Sequence, residues 1–143
     1  MIRAGDLRER FEGAGRRVTP QRALLFRLIE EAQAEHPSAE SLHRRAAREM
    51  PSISLRTVYA ILEELHDLDA VRPLDLGTGA ARFCANVTPH SHLVCERCGS
   101  VRDVVVETSQ VPLRPEQRAG FLVKEQTIVF RGLCAGCRQR ASA

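Results

Sequence analysis

The sequence contains very few aromatic residues. Its 143 residues include no tryptophan and one tyrosine, and aromatic side chains make up only 4% of the chain. The core must therefore consist mainly of Leu, Val, Ile and Ala, which the apolar fraction of 43% allows. The length is enough for one ordinary domain or two small ones.

Long apolar runs are also missing. No run approaches the roughly 20 residues that a bilayer-spanning helix needs, and residues 1–11 are charged and lack the apolar stretch of a signal peptide. We therefore expect a cytoplasmic protein that does not enter a membrane. In such a reducing compartment, the five cysteines are better suited to metal binding than to disulfides.

The charge is nearly balanced, with a net value of +3, but the arginines are unevenly placed. Eleven of them lie in the first 60 positions, among them Arg16, Arg17, Arg22, Arg27, Arg44, Arg45, Arg48 and Arg56. A basic first half favours nucleic-acid binding over a small-molecule role.

Helix-start signals recur in this first half. Thr19-Pro20, Ser38 and Ser54 each fit an N-cap, and a shorter helix is expected at Asp6–Gly13. Apolar residues follow the three caps at helical spacing. Runs at 71–76 and 81–84 then predict two strands around the turn Gly77-Thr78-Gly79. Helices followed by a hairpin are the layout of a winged helix-turn-helix.

The pattern changes after Pro89, so we expect two domains and an α+β fold. Residues 1–86 would form the winged-helix DNA-binding domain, and residues 87–143 a small α/β domain. The second domain is expected to contain strands at 92–94, 101–106 and 127–133 and a short helix at 114–118.

Two matched Cys-x-x-Cys pairs lie in the second domain. They are Cys95-Glu-Arg-Cys98 and, after 35 intervening residues, Cys134-Ala-Gly-Cys137. Four thiolates satisfy the tetrahedral preference of Zn²⁺, and a domain of about 55 residues is marginal without such a link. The alternative is a pair of unrelated redox motifs, but two matched pairs favour a shared structural zinc.

A second group of metal-ligand residues lies nearer the middle of the chain. His90 and His92 alternate along an extended segment, so their rings point to one side. Cys84 precedes them, and His36 and Asp103 could complete the site. The alternatives are an exposed loop histidine for His36 and a polar strand edge for His90 and His92.

Together these residues resemble the ferric uptake regulator family of bacterial metal-sensing repressors. The landmarks in order are Arg17-Val-Thr-Pro-Gln-Arg22, His36-Pro-Ser-Ala39, Ile53-Ser-Leu-Arg-Thr-Val-Tyr59, Ala81-Arg-Phe83, His90-Ser-His-Leu-Val-Cys-Glu-Arg-Cys-Gly99 and Gly132-Leu-Cys-Ala-Gly-Cys137. The resemblance implies a homodimer in which residues 87–143 provide dimerisation. Metal at an interdomain site would close the dimer onto a palindromic double-stranded operator, provided that metal binds the closed form better.

The resemblance also implies which residues contact DNA. The helix from Ser54 to Leu68 would enter the major groove, with Tyr59 touching bases and Thr57 beside it. Arg17 matches a basic position used against the minor groove, and Arg22 and Arg56 would contact phosphates. The family often has Arg directly after this Tyr, where this chain has Ala60; Arg56, one turn earlier, could compensate.

The regulatory ligands implied by the resemblance are His36, Cys84, His90, His92 and Asp103. Cys84 replaces a carboxylate found in iron and peroxide sensors, and a thiolate suits Zn²⁺ better than Mn²⁺. His36 instead matches the iron- or manganese-loaded peroxide sensors. We expect Zn²⁺ as the sensed ion, with Fe²⁺ or Mn²⁺ as the alternative. The positions of a further family site fall on Pro89, Ser91 and Gln126, which are poor ligands, so two metals per protomer are expected.

Two other functions fit parts of the sequence. Cys84, His90 and His92 could hold a hydrolytic zinc with Glu107 as base, but this leaves the basic helical half unexplained. A redox switch could act through Cys84 or the Cys-x-x-Cys pairs, since oxidation of a zinc-bound thiolate releases the metal. We therefore expect a repressor and no enzyme.

Overall fold

The computed structural model describes residues 1–77, 79–107, 111–124 and 126–142. These residues form two compact units, Met1–Thr88 and Pro89–Ala143. None of the described helices is long and apolar enough to cross a membrane.

The N-terminal unit contains four α-helices. They are α1 (Ala4–Gly13), α2 (Pro20–Ala32), α3 (Ala39–Glu49) and α4 (Leu55–Asp67), with a 3₁₀ turn at Gln33–Glu35 between α2 and α3. The expected first helix begins two residues earlier than predicted. Helix α3 ends directly before Met50 and Pro51, as the proline predicts.

The three predicted helix starts are confirmed by their side-chain caps. The Thr19 hydroxyl accepts a hydrogen bond from the backbone N–H of Arg22 at 3.3 Å, with Pro20 in the first turn of α2. Ser38 caps α3 in the same way at 3.1 Å, and Ser54 caps α4 at 3.0 Å. Each cap satisfies a backbone donor that a helix leaves without an intrahelical partner.

Helix faces pack around one apolar core. Phe11 of α1 and Phe26 of α2 have ring centroids 5.0 Å apart. Leu42 of α3 and Leu62 of α4 are buried in the same cluster. Each such side chain contributes about 1.5–3 kcal/mol when removed from water.

A short antiparallel hairpin follows α4. Strand β1 (Arg72–Leu74) pairs with β2 (Arg82–Cys84), with Arg72 opposite Cys84. Gly77 and Gly79 have φ values of 68° and 107°, which glycine adopts without strain. The turn is where the sequence predicts it, although its central Thr78 lies outside the described residues.

The C-terminal unit is a three-stranded sheet with one helix. The strands are β3 (Ser91–Cys95), β4 (Val101–Val104) and β5 (Val129–Gly132), in the order β4-β3-β5. Strand β3 is antiparallel to β4 and parallel to β5. Strands β4 and β5 are shorter than predicted, and a 3₁₀ turn at Pro115–Gln117 stands at the expected short helix. Helix α5 (Ala135–Ala141) is not predicted from the sequence.

Candidate metal centres and nucleic-acid interface

The four cysteines of the two Cys-x-x-Cys pairs converge in the C-terminal unit. Their Sγ atoms all lie within 4.8 Å of one another, and those of Cys98 and Cys134 are 3.8 Å apart. Zn–S bonds of about 2.3 Å in a tetrahedron place sulfurs about 3.8 Å apart. The donor set and its spacing therefore fit a structural zinc.

Strand β3 and helix α5 supply these thiols. Cys95 ends β3, and Cys134 is the N-cap of α5. The Cys134 backbone N–H donates to Cys95 Sγ at 3.4 Å, and the Cys137 N–H donates to Cys134 Sγ at 3.5 Å. Cys98 Sγ donates to the Ser100 hydroxyl at 3.3 Å. The two backbone N–H donors stabilise the thiolates that a metal requires.

The thiols have different acidities in the absence of metal. The backbone N–H of Cys134 lowers the pKa of Cys95 to about 6, whereas burial raises the pKa of Cys137 to about 11. Cys95 would therefore be a thiolate at neutral pH and Cys137 a thiol. A coordinated zinc deprotonates such a thiol outright.

Arg140 of α5 reaches this cluster from its own helix. Its Nη2 donates to Cys137 Sγ at 3.4 Å, and its Nε donates to the Gly136 carbonyl at 3.3 Å. Arg97 Nη1 donates to the Cys137 carbonyl at 3.5 Å and so joins the two Cys-x-x-Cys turns. The sequence pattern did not predict that either arginine contacts the cysteine cluster.

The N-terminal unit brings together two of the predicted regulatory ligands. The ligand atoms of His36 and Cys84 lie within 4.8 Å of each other. His36 follows the 3₁₀ turn and is 1% exposed, so the alternative of an exposed loop histidine is wrong. Cys84 ends β2 and is 2% exposed.

The C-terminal unit brings together the other three. His90 Nε2 and His92 Nε2 are 3.0 Å apart, and each lies 3.3 Å from Asp103 Oδ1. The register of β3 and β4 explains the contact, because His92 is directly opposite Asp103. His92 lies on the central strand and is 2% exposed, so a polar strand edge does not describe it.

Helix α4 exposes part of the predicted DNA-contacting surface. Tyr59 is 43% exposed, and its hydroxyl donates to the Glu40 carboxylate of α3 at 2.6 Å. This hydrogen bond raises the pKa of Tyr59 and lowers that of Glu40. Arg56 is exposed nearby, while the Thr57 hydroxyl is hydrogen-bonded to the capping Ser54 at 2.9 Å.

The two arginines near the start of α2 differ in their surroundings. Arg17 is exposed. Arg22 binds both carboxylate oxygens of Glu64 at 3.0 and 2.5 Å and donates to the Arg17 carbonyl at 2.8 Å. Its guanidinium also lies 5.4 Å from the centre of the Phe11 ring. Arg22 thus links α2 to α4, a role that the sequence did not indicate.

Glu107 would be the general base if the protein were a zinc hydrolase. It lies beyond the end of β4 and is exposed. His43 and His66 stand apart from both ligand groups, and each contacts a backbone carbonyl within the N-terminal unit, at 3.0 and 3.2 Å.

Comparison with known proteins identifies the family. The model of the ferric uptake regulator family matches residues 13–130. The chain belongs to this family. Ferric uptake regulator proteins are metal-responsive transcriptional regulators, and the α+β fold with a Cys₄ site is confirmed for this member.

Its relatives within the family include sensors of different signals. The peroxide-responsive repressor PerR of Staphylococcus epidermidis is 28% identical over 130 residues, which cover 90% of this chain and 86% of that protein. A solved zinc-bound manganese uptake regulator is 25% identical, with a TM-score of 0.67 over 90% of this chain and 98% of the other. The ferric uptake regulator of Vibrio cholerae is 26% identical, with a TM-score of 0.65 over 87% and 96%.

Proposed function

We propose that this chain is a cytoplasmic, metal-dependent DNA-binding repressor that controls metal homeostasis and senses Zn²⁺. The observation that best supports this proposal is the presence of two groups of metal-ligand residues. His36 and Cys84 lie together in one unit, and His90, His92 and Asp103 lie together in the other. We infer that both groups hold the same ion, because neither offers a full set of strong ligands alone.

The donor types favour zinc as the sensed ion. One thiolate and three imidazoles make a tetrahedral set for Zn²⁺, with Asp103 as a fifth or supporting ligand. Thiolate is a soft ligand and suits Mn²⁺ poorly. A bound ion would supply a positive centre that attracts ligands of both units at once.

The Cys₄ cluster has a different role in this proposal. Its ligands all come from the C-terminal unit, so a zinc ion there stabilises that unit. Both Cys-x-x-Cys turns are then fixed to the end of β3 and the start of α5. Together with the regulatory ion, this structural zinc gives two metal ions per protomer.

The C-terminal unit offers the surface for a homodimer. Leu93 of β3 is in register with Phe130 of β5, so both lie on one sheet face, and each is 45% exposed. Monomeric proteins rarely expose extended apolar patches. A two-fold dimer would present two copies of α4 to a palindromic operator.

Helix α4 would carry the base contacts. Tyr59 and Arg56 are exposed on it, and Arg17 is exposed before α2. Phosphate contact by Arg22 would compete with its bond to Glu64, so we expect Arg22 to contribute less than Arg17 and Arg56.

A peroxide-responsive function with Fe²⁺ or Mn²⁺ is the second candidate. It is favoured by the similarity to PerR and by His36, which matches the ligand pattern of such sensors. We expect no catalytic turnover under either function.

The test measures operator binding in buffered free metal. A duplex is first selected from a random pool with the zinc-loaded chain, and binding is then titrated by fluorescence anisotropy. His90→Ala should abolish the metal dependence, whereas the control His66→Ala should keep it. Unchanged metal-dependent binding by His90→Ala would contradict the regulatory site. Activation by Fe²⁺ or Mn²⁺ at lower free concentration than Zn²⁺ would replace zinc with the second candidate.

A further inference from the structure

Strand β2 is fastened to the segment that carries His36. Arg82 Nη1 donates to the His36 carbonyl at 3.1 Å and lies 3.4 Å from the Glu35 carbonyl. The Phe83 backbone N–H donates to the Pro37 carbonyl at 2.9 Å, and Arg82 forms a β-bridge with Ser38. The hairpin and the His36 segment thus form one connected piece.

His36 needs such support because its backbone is unusual. Its φ and ψ are 51° and 70°, in the left-handed region that residues with a Cβ seldom occupy. It also precedes Pro37, and residues before proline favour extended conformations instead. A residue kept in such a conformation persists only where its surroundings hold it. The guanidinium on its carbonyl is a side-chain contact that contributes to this hold.

The same strand presents Cys84 beside this contact. Side chains alternate along a strand, so Arg82 and Cys84 project to the same face of β2. That face lies against His36, since Arg82 reaches its carbonyl from there. The ligand atoms of His36 and Cys84 are accordingly within 4.8 Å of each other.

We propose that Arg82 is a positioning residue for the sensed divalent ion, and that it couples metal occupancy to the β1–β2 hairpin. The inference rests on the proposed function, because it requires His36 and Cys84 to be ligands. Arg82 sets the orientation of His36 through its carbonyl and touches no metal itself. By reciprocity, an ion held by His36 and Cys84 stabilises the hairpin to which both are attached.

The experiment measures Zn²⁺ affinity by competition with a chromophoric chelator, using full-length chain that retains one structural zinc. Arg82→Gln should weaken binding of the second zinc about tenfold, the low end for partners of metal ligands. Arg82→Lys keeps the charge and a hydrogen-bond donor but lacks the planar guanidinium whose Nη1 lies near both carbonyls, so it should restore part of the loss. Arg48→Gln, an exposed arginine of α3, removes the same charge and should leave the affinity unchanged.

Hydrogen exchange of the hairpin supplies the readout that a purely structural role would not move. Zinc should slow exchange in β1 and β2 of the wild-type chain, and Arg82→Gln should reduce this zinc-induced slowing. The structural zinc content and the thermal midpoint should stay close to wild type.

The outcomes separate this inference from the proposed function. Loss of second-zinc affinity in His36→Ala and Cys84→Ser, with wild-type affinity in Arg82→Gln, would overturn the role of Arg82 alone. Wild-type affinity in all three would overturn the regulatory site as well. If Arg82→Gln does not fold, Arg82→Met serves as the second variant, and wild-type affinity and hairpin exchange in Arg82→Met would equally overturn the role.

Discussion

The two units of this chain differ in how much of their apolar surface they bury. The N-terminal unit buries most of its large apolar side chains, and Leu7, Leu25 and Leu65 are fully inaccessible. The C-terminal unit leaves many exposed: Leu93, Val105, Val111, Leu113, Phe121, Leu122, Val123, Phe130 and Leu133. Apolar burial therefore accounts for the first unit, whereas we expect a metal and a partner surface to contribute to the second.

The metal-ligand groups follow the same division. The Cys₄ cluster is complete within the C-terminal unit, where a bound zinc would compensate for the small core. The proposed regulatory ligands are divided between the units, as expected for a site that reports metal by linking two parts. A metal site that stabilises one unit takes all its ligands from that unit. A sensing site can change the conformation of the protein when its ligands come from two units.

The largest expected effect is loss of the C-terminal fold when the Cys₄ cluster is broken. Structural zinc contributes about 10–16 kcal/mol in zinc-finger peptides, far more than this small core can replace. Cys137→Ser should therefore deprotect the amides of β3, β4 and β5 while those of α2 and α4 stay protected, as measured by hydrogen exchange. Cys84→Ser is the control and should leave the C-terminal unit protected. If the β3 amides of Cys137→Ser stayed fully protected from exchange, the claim that the two units are stabilised in different ways would be wrong.

A smaller effect should follow from a cavity in the N-terminal core. Leu62 is 1% exposed, so Leu62→Ala should lower the free energy of unfolding of this unit by about 2–5 kcal/mol. Leu113→Ala makes the same chemical change at a side chain that is 47% exposed, and should cost less than about 0.5 kcal/mol. Denaturant titration measures both, followed by the helical circular dichroism signal for Leu62→Ala and by hydrogen exchange of the β3, β4 and β5 amides for Leu113→Ala. Equal losses at the two positions would show that burial does not distinguish the units.

The smallest expected effect concerns Arg140 beside the cluster. Its guanidinium donates to Cys137 Sγ, so Arg140→Gln should weaken retention of the structural zinc about tenfold. Zinc transfer to a chelator at neutral pH measures this retention. Arg138→Gln removes the same charge from the same helix and serves as the matched control. An equal loss in both variants would indicate a general charge effect in place of the contact.

Local signals in the sequence predicted much of this fold. Thr19, Ser38 and Ser54 marked the helix starts because capping is a contact between near neighbours in the chain. The paired Cys-x-x-Cys motifs marked the zinc cluster, since two ligands three residues apart already fix half of its geometry. Helix α5 was missed because it has only seven residues and includes Gly136, which weakens helical propensity.

Such local signals do not predict contacts between residues that are far apart in the sequence. Arg22 and Glu64 are 42 residues apart, and Arg82 and His36 are 46 apart. Nothing in the local pattern assigns these partners, because many arginines and carboxylates offer the same chemistry. The left-handed backbone of His36 was equally hidden, since the residue precedes a proline and would be expected to be extended.

The position of Tyr59 has an optical consequence. It is the only tyrosine in a chain without tryptophan, so essentially all the intrinsic ultraviolet emission of the protein originates from one exposed residue of α4. A base stacked near that phenol, or a shift in its bond to Glu40, would change the whole signal. Operator binding could then be followed on the unlabelled protein by a single fluorophore that already sits on the surface in question.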